Sequence, residues 1–446
     1  MAGTAEQRWT GRHKRLFQLI ASRPGWTRQQ LAEATGWSGA AVWQVSKDLI
    51  EAGFVAAEGQ GPSRGGRRPT LLTLAGDKYL LAVVRVHGNR LLEARWLTAN
   101  GRLLQGLPAQ ISRWEEGSDL VACLAELVQA GMRRLPADLT PVGVALILPG
   151  LVDRGGRLLF SSPLGLKDFP VSRALGDRLG LPVVAGNDVD LAALAESRWG
   201  KGRDARRLIY LWVDQGIGVG LVFDGRLYLG SHTSAGELGH FTVDPSGALC
   251  RCGNRGCLGV TASEPGLIGQ ASRLIWVDQQ NELRRLTGGD LNRLSLQQVA
   301  RAVGAGDPLA RQMVDQALDH LGLALANLVN LLGPDLILVS GSVYEMDPRL
   351  VMGRLQAAVT NHSLPVFREA VRLEAAALGE EGRFMGGVAL FREVACAALW
   401  AKVTGGSARE TDLRSGATRE GATEWTSTRG MAKAGGWTDP AAGGDW

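Results

Sequence analysis

Four residues near the middle of the chain have the types and the spacing of a metal site. The segment HFTVDPSGALCRCGNRGC contains His240, Cys250, Cys252 and Cys257, in a chain of 446 residues that has only five cysteines. One imidazole and three thiolates suit a closed, tetrahedral Zn²⁺ site. Because four protein ligands leave no open position for a water molecule, the zinc would be structural and not hydrolytic. The alternative is a group of reduced cysteines on an ordinary loop.

The surrounding sequence fits such a site. Gly253 and Gly256 lack a Cβ, so the backbone between the sulfurs can turn sharply enough for them to converge. Cys123 and Cys396 are isolated in sequence, a pattern that argues against a disulfide scaffold and for a reducing compartment. The N-terminal segment MAGTAEQRWTGRHKR is polar, unlike a signal peptide, and no apolar run of about 18 residues occurs. We therefore expect a cytoplasmic protein.

The positive charge of the chain lies at one end. Residues 1–78 contain 11 Lys and Arg and 6 Asp and Glu, whereas the other 368 residues contain 38 of each kind. The whole formal net charge of +5 therefore belongs to the N-terminal sixth of the chain. Basic charge localised in this way favours a polyanionic partner, and nucleic acid above all.

Three short helices are predicted in this basic region. Apolar residues at helical spacing indicate a helix over Arg15–Ser22, and Thr27 and Ser38 can cap a second and a third helix. Two helices joined by a short turn are the arrangement that places a recognition helix in the major groove of DNA. The third helix would bury Val42, Val45 and Leu49. The residues that we predict to contact DNA there are Ser38, Ala41, Trp43, Gln44 and Lys47.

A basic loop follows these helices. The segments FVAAEG and TLLTL read as two short strands on either side of GPSRGGRRP. Such a wing would place Arg64, Arg67 and Arg68 near DNA phosphates or in a narrow minor groove. We therefore predict a winged helix-turn-helix DNA-binding domain over residues 1–76. The alternative is a three-helix adaptor domain with a solvated basic loop.

The rest of the chain falls into two regions. Between residues 77 and 400, strand-like runs such as YLLAVVRV and PDLILVSG alternate with helical patterns, which indicates an α/β fold. A region of this length favours two lobes with a cleft between them. Residues 401–446 are rich in Gly, Ser, Thr and Ala, and we predict a disordered tail there.

A winged helix followed by this α/β body resembles the ROK family (repressors, open reading frames and kinases). It is most similar to the family's sugar-responsive DNA-binding repressors of the xylose and N-acetylglucosamine type. The resemblance covers roughly residues 12–400 and rests on the motifs GGRRP, AGNDVDLAALAE, GELGH and CRCGNRGCLG. It implies a two-lobed, actin-like domain of the sugar kinase, hsp70 and actin type, with sugar held between the lobes. It also implies a structural zinc at residues 240–257, because the order and spacing of the ligands match.

The resemblance further implies a sugar site made of Asn187, Asp188, Glu237 and His240. In family kinases the residue matching Asp188 is the general base that accepts the proton of the sugar hydroxyl. Carboxylates and amides suit polyols because they form paired hydrogen bonds with neighbouring hydroxyls. From the residues alone, Asp188 can instead be a helix N-cap. A zinc-bound His240 would have only one ring nitrogen left for the sugar or a supporting residue.

Both phosphate-binding loops of the family kinases are altered in this chain. The first is Asp-x-Gly-Gly-Thr in kinases and reads RVHGN at residues 85–89, with Arg85 in place of the acid. The second reads VDQGIGVG, and its Asp214 would repel a triphosphate. The sugar contacts also differ, with Gly259 in place of a Glu and Leu166 where Trp is frequent. Each lost hydrogen bond would cost about 1–3 kcal/mol, which predicts a smaller sugar, weak binding or no sugar.

The sequence thus predicts a transcriptional repressor and not an enzyme. It would regulate sugar uptake or catabolism in response to xylose or another small carbohydrate, and would bind a double-stranded operator. We expect a homodimer or homotetramer, because lobe motion can change the spacing between DNA-binding domains only where two are linked. Two alternatives are a ROK-type kinase that phosphorylates a hexose or N-acetylhexosamine with ATP, and an inactive scaffold that binds sugar but not DNA.

Overall fold

The structure is a computed structural model, and it describes residues 9–22, 25–60, 68–115, 119–231, 233–277, 280–396 and 400. The predicted tail at 401–446 and the predicted DNA contacts Arg64 and Arg67 lie outside the described residues. Among the helices of the described ranges, none is long and apolar enough to cross a membrane.

The N-terminal region consists of three helices and an antiparallel pair of strands. Thr27 and Gln30 form the predicted capping box, and Gly36, at a φ of 70°, ends the second helix. Ser38 caps the third helix by accepting a hydrogen bond from the N–H of Ala41. The elements are α1 (Gly11–Ser22), α2 (Arg28–Thr35), α3 (Gly39–Glu51), β1 (Val55–Gln60) and β2 (Thr70–Leu74).

The first lobe is built on a five-stranded mixed sheet. Its central strands are almost wholly buried because helices cover both faces, as the apolar run YLLAVVRV predicted, whereas the edge strand of residues 110–113 is mostly exposed. The elements are β3 (Tyr79–Val86), β4 (Leu91–Thr98), β5 (Gln110–Arg113), α4 (Leu120–Met132), β6 (Thr140–Leu148), β7 (Leu151–Val152), β8 (Leu158–Ser161), β9 (Leu166–Phe169), α5 (Val171–Leu179) and β10 (Val183–Asn187). The sheet order is β10-β6-β3-β4-β5, and β7, β8 and β9 form a small separate sheet.

The second lobe follows a connecting helix, α6 (Asp188–Arg198), and also has a five-stranded sheet. Its elements are β11 (Arg207–Val213), β12 (Ile217–Phe223), β13 (Arg226–Leu227), α7 (Gly259–Ala262), α8 (Glu264–Val277), α9 (Glu282–Thr287), α10 (Leu296–Gly304), α11 (Pro308–Leu332), β14 (Leu336–Ser340), α12 (Ser342–Met346), α13 (Pro348–His362), α14 (Pro365–Arg368) and β15 (Arg372–Ala375). The order is β13-β12-β11-β14-β15, with β12 antiparallel to β11 and β14 parallel to it.

The last helix, α15 (Gly379–Val394), crosses α6 and packs on the sheet of the first lobe. The crossing is close because Gly386 has no side chain: a Cβ there would lie 1.9 Å from the carbonyl oxygen of Leu191. Apolar residues of α1, of the first lobe and of α15 form one continuous buried cluster, represented by Leu16, Val83 and Phe391. The N-terminal region is therefore packed against the first lobe and is not merely tethered to it.

Candidate functional site

The predicted recognition helix α3 has one buried face and one exposed face. Val42, Val45 and Leu49 are buried, as the sequence predicted. On the opposite face Trp43 is 50% exposed, and Gln44 and Lys47 are exposed beside it. Of the other predicted contacts, Ser38 and Arg68 are exposed, whereas Ala41 is half-buried, and its N–H donates to the Ser38 hydroxyl. The helix thus presents a continuous, accessible surface in the middle of the N-terminal region.

A chain of hydrogen bonds holds this face on the rest of the N-terminal region. The side-chain amide Nε2 of Gln44 donates to Oδ1 of Asp48 at 2.9 Å. The other oxygen of Asp48 lies 3.1 Å from Nε2 of His13 on α1, and Nδ1 of His13 lies 2.9 Å from the hydroxyl of Thr10. The ammonium of Lys47 lies 5.3 Å from the centre of the Trp43 ring. The side chains that face outward are therefore positioned before any partner binds.

The four predicted metal ligands converge. One ligand atom from each of His240, Cys250, Cys252 and Cys257 lies within 4.8 Å of all the others. Gly256 has a φ of 63°, and a Cβ there would lie 1.5 Å from the carbonyl oxygen of Asp244, so the loop closes only with glycine at this position. The sequence thus correctly predicted that these residues meet.

The chemistry of the cluster fits a metal ion. A hydrogen bond from the backbone N–H of Asn254 is the largest of the effects that lower the pKa of Cys252 to about 7, so this sulfur is readily a thiolate. Burial and the neighbouring sulfurs raise the pKa of Cys257 to about 12. A bound cation would remove this penalty by neutralising the charge of the grouped thiolates. The donor set of three sulfurs and one imidazole can therefore hold a metal.

His240 faces two ways. Its Nδ1 lies 3.8 Å from Sγ of Cys250, and its Nε2 lies 4.0 Å from Oε2 of Glu237. Each ring nitrogen thus has a separate neighbour, one in the cluster and one in the predicted sugar site. This resolves how one histidine can take part in both.

Asn187 and Asp188 stand at the junction between β10 and α6. Asn187, and not Asp188, is the helix N-cap: its Oδ1 accepts from the N–H groups of Val189 and Asp190. Its Nδ2 donates to the carbonyl of Gly150 at 2.9 Å. The Oδ1 of Asp188 also accepts from the N–H of Val189, at 3.0 Å, and the amide of Asn187 is mostly occupied in holding the strand end.

A second acid, Asp190, belongs to the same site and was not predicted. Burial, followed by the charges of Asp188 and Glu237, raises the pKa of Asp190 to about 8. Burial also raises the pKa of Asp188, against the opposing effect of the Arg383 and Arg85 guanidiniums. The motif AGNDVDLAALAE shows this acid two residues after Asp188, but the spacing gave no signal, because residues two apart on a helix do not face each other. Asp190 thus feels the charges of both other acids, and three carboxyl groups can bind a polyol through several hydroxyls.

An open cavity lies between the two lobes. It is lined by Asp153, Arg154 and Gly155 of the first lobe. Gly230, Ser231 and Thr233 of the second lobe line its other side. Residues of both lobes therefore border one opening, as a cleft between lobes requires.

Ion pairs fill the position of the first phosphate loop. Nη1 of Arg85 lies 2.5 Å from Oε2 of Glu380 on α15. Arg383, one turn further along, also pairs with Glu380, and its guanidinium stacks 3.8 Å from the centre of the Trp212 ring in the second lobe. Nε2 of His87 lies 3.2 Å from Oε2 of Glu93, a hydrogen-bond contact, and burial lowers the pKa of this histidine. Side chains thus occupy the region where a phosphate-binding loop would expose backbone N–H groups.

At the second predicted phosphate loop, one hydroxyl group contacts two carboxyl groups. The Oγ of Ser342, at the start of α12, lies 2.8 Å from Oδ1 of Asp214 and 2.6 Å from Oε2 of Glu264. The N–H of Glu264 also donates to the carbonyl of Asp214 at 2.9 Å. Two carboxyl groups therefore face the point where a triphosphate would need cations.

Comparison with known proteins identifies the family. The model of the ROK family matches residues 108–394 of the chain. The chain belongs to the ROK family. This membership and the two five-stranded sheets confirm the predicted α/β, actin-like fold of the sugar kinase type.

Both regulators and kinases of the ROK family are similar to the chain. A xylose repressor from Caldicellulosiruptor bescii is 26% identical over 82% of this chain and 91% of its own length. A glucokinase from Halalkalibacterium halodurans is 28% identical over 67% of this chain and 91% of its own length. A solved ROK family transcriptional regulator, described as a homologue of the Escherichia coli MLC protein, has a TM-score of 0.74 at 26% identity. That match covers 89% of this chain and 98% of the regulator.

Proposed function

We propose that this chain is a ROK-type transcriptional repressor that regulates sugar uptake or catabolism genes in response to a sugar. Residues 1–76 would form a winged helix-turn-helix domain, and residues 77–400 a sugar-sensing domain. The protein would bind a two-fold operator as a homodimer or homotetramer in the cytoplasm. The observation that carries the proposal is the exposed face of α3, with Trp43, Gln44 and Lys47 held in place on a buried stripe.

The extent of the matches to relatives supports a regulator. The solved regulator covers 89% of this chain, whereas the glucokinase covers 67% of it. The match to the regulator is long enough to include part of the N-terminal region, where the net positive charge lies. An exposed Trp and Gln on a capped helix suit base edges in the major groove, and Arg68 suits a phosphate.

The interlobe site would bind the effector. Asp188, Asp190 and Glu237 would accept hydrogen bonds from sugar hydroxyls, and a protonated Asp190 can also donate one. His240 would link this site to the cysteine cluster through its two ring nitrogens. Closure of the lobes on a sugar would favour one conformation and change the spacing between two DNA-binding domains.

Zinc is the metal that this cluster would bind. Its four ligands are those of a closed structural site, and zinc would supply folding energy to the loop that contains Glu237. No reactive position would remain on the ion. The zinc would therefore shape the sugar site without taking part in a reaction.

A ROK-type sugar kinase is the second candidate, because a glucokinase is among the relatives. The contacts of the two phosphate loops disfavour it. Glu380 and Arg383 cover Arg85 at the first loop, and Asp214 and Glu264 present carboxyl groups at the second. Transfer of a phosphoryl group needs positioned cations and N–H donors at both places.

Two assays on the full chain test the proposal. Selection from random double-stranded DNA should enrich a palindromic sequence, and the variant Gln44→Ala should enrich it less. ADP release should stay at background with pentoses, hexoses and N-acetylhexosamines. Sugar-dependent ADP release that Asp188→Asn abolishes would establish the kinase instead. Enrichment of no DNA sequence, with sugar binding retained, would favour the inactive scaffold.

A further inference from the structure

The last turn of α15 is joined to α1 by a buried arginine. Arg392 is 2% exposed, and its Nε donates to the carbonyl of Ala21 at 2.5 Å. Its Nη2 donates to the carbonyl of Ile20 at 3.3 Å. Both carbonyls belong to the last turn of α1, where helix carbonyls lack partners within the helix and the helix dipole favours a cation. These two hydrogen bonds therefore couple the position of the end of α1 to that of Arg392.

Aromatic packing fixes the same contact. The ring of Trp400 lies 5.0 Å from that of Phe17 on α1 and 5.9 Å from that of Trp9, measured between centroids. Phe54, between α3 and β1, lies 6.2 Å away. Trp400 thus gives a second contact between the end of α15 and the N-terminal region, and this contact limits the movement of one relative to the other.

The neighbouring residue Glu393 joins α15 to the second lobe. It pairs with the guanidinium of Arg198, in the last turn of α6. The same Nη2 of Arg198 donates to the carbonyl of Gly225, at 2.7 Å, in the turn between β12 and β13. Both charged side chains are largely buried, so breaking the pair leaves a costly unpaired charge.

Helix α6 connects these contacts to the sugar site. It begins at Asp188 and ends at Arg198, so the two lie at opposite ends of one short helix. Ala192 and Ala193 pack on the sheet of the second lobe, whereas Leu191 belongs to the cluster shared with α1 and α15. A shift of the second lobe therefore displaces α6 against α15.

We propose that Arg198, Glu393 and Arg392 are positioning residues that transmit closure of the lobes to the DNA-binding helices. The inference rests on the proposed function. When the β12–β13 turn moves, its hydrogen bond displaces Arg198, and the ion pair with Arg198 displaces Glu393. Arg392, the preceding residue on α15, then displaces the end of α1 through its hydrogen bonds to the carbonyls there. Because α1 packs against α3 through His13 and Asp48, the recognition surface moves with it.

The experiment compares two arginines that contact the same turn. Arg198→Met removes the link to Glu393. Arg206→Met is the matched control, because Arg206 pairs with Asp224 at 3.1 Å near that turn, is exposed and does not contact α15. Glu393→Gln is a milder variant that keeps the shape and the hydrogen-bond acceptor. Amide hydrogen exchange of residues 18–22 is measured in the free full-length proteins, together with affinity for a duplex selected by the wild-type protein.

Arg198→Met should speed exchange in the last turn of α1 and weaken duplex binding, each by about fivefold or more, the lower end of usual coupling between sites. Glu393→Gln should act in the same direction, and Arg206→Met should stay within about twofold of wild type. Adding Arg198→Met to Arg392→Met should have little further effect, since both interrupt one route. Unchanged exchange in Arg198→Met and Glu393→Gln would overturn the inference. If the wild-type protein selects no duplex, the proposed function fails, and hydrogen exchange still decides the coupling.

Discussion

Nε2 of His240 lies 4.0 Å from Oε2 of Glu237, while Nδ1 of the same ring lies 3.8 Å from Sγ of Cys250. The predicted sugar site and the cysteine cluster therefore share one side chain. A histidine bound to a metal through one nitrogen is normally held by a partner at the other, often a carboxylate. Glu237 stands where that partner would be, so metal binding and the orientation of Glu237 should depend on each other.

Cys252→Ser should lower the zinc content of the purified protein to less than about half of the wild-type value, because a closed site loses affinity steeply with one thiolate. Atomic absorption on protein purified without chelator measures this. Cys123→Ser is the control, since Cys123 lies outside the cluster. Full zinc content in Cys252→Ser would show that the cluster does not bind the metal.

Asp190→Asn should remove part of the loss of stability that the wild-type protein shows as the pH rises towards 8. The pKa of Asp190 is about 8 in the folded protein and close to 3.8 when it is exposed. The folded state therefore holds an extra proton between these values, and its free energy of unfolding falls as the pH rises through that window. Above the folded pKa, the buried carboxylate remains destabilising beside Asp188 and Glu237.

Thermal unfolding at two pH values tests this expectation. Between about pH 6 and pH 9, the wild-type melting temperature should fall by about 3 °C more than that of Asp190→Asn. Asp224→Asn is the control, because Asp224 is exposed on a turn of the second lobe. Parallel curves for wild type and Asp190→Asn would mean that Asp190 is not protonated at neutral pH.

Arg67→Ala combined with Arg68→Ala should weaken DNA binding and flatten its dependence on salt. Each lost phosphate contact reduces the slope of log affinity against log salt by about 1. Arg206→Ala, which removes an exposed arginine from the second lobe, should leave the slope unchanged. A gel-shift series at several salt concentrations gives the comparison. A slope equal to that of wild type would contradict the predicted role of the wing.

Local patterns predicted the parts of the molecule that depend on neighbours in sequence. The caps at Thr27 and Ser38 and the buried stripe of α3 follow from side-chain chemistry within a few residues. The cysteine cluster was also predictable, because its ligands and glycines lie in one loop. Asp190 was missed although it is two residues from Asp188, because its role depends on burial and on Glu237, which sequence spacing does not show.

Contacts between distant segments could not be predicted in this way. Arg85 and Glu380 are 295 positions apart, and Arg392 and Ala21 are 371 apart. Each pairing depends on how α15 crosses α6 and the first sheet. Periodicity indicates which face of a helix is buried, but not which helix end will meet another. The sequence shows neither the burial of Arg392 nor the carbonyl of Ala21 that its Nε contacts.

Gln44→Ala should reduce affinity for the selected duplex by about 1–3 kcal/mol and relax specificity at one base position. A glutamine on a recognition helix reads a base edge by paired hydrogen bonds, so its loss affects one position and not the whole site. In the free protein its Nε2 is held by Asp48, which orients the side chain along the exposed face. Gln29→Ala is the matched control, because Gln29 is exposed on α2 and pairs with Glu33 there. Binding is measured on the selected duplex and on its single-base variants. Equal affinity of Gln44→Ala and Gln29→Ala for every variant would mean that α3 does not read the sequence of the DNA.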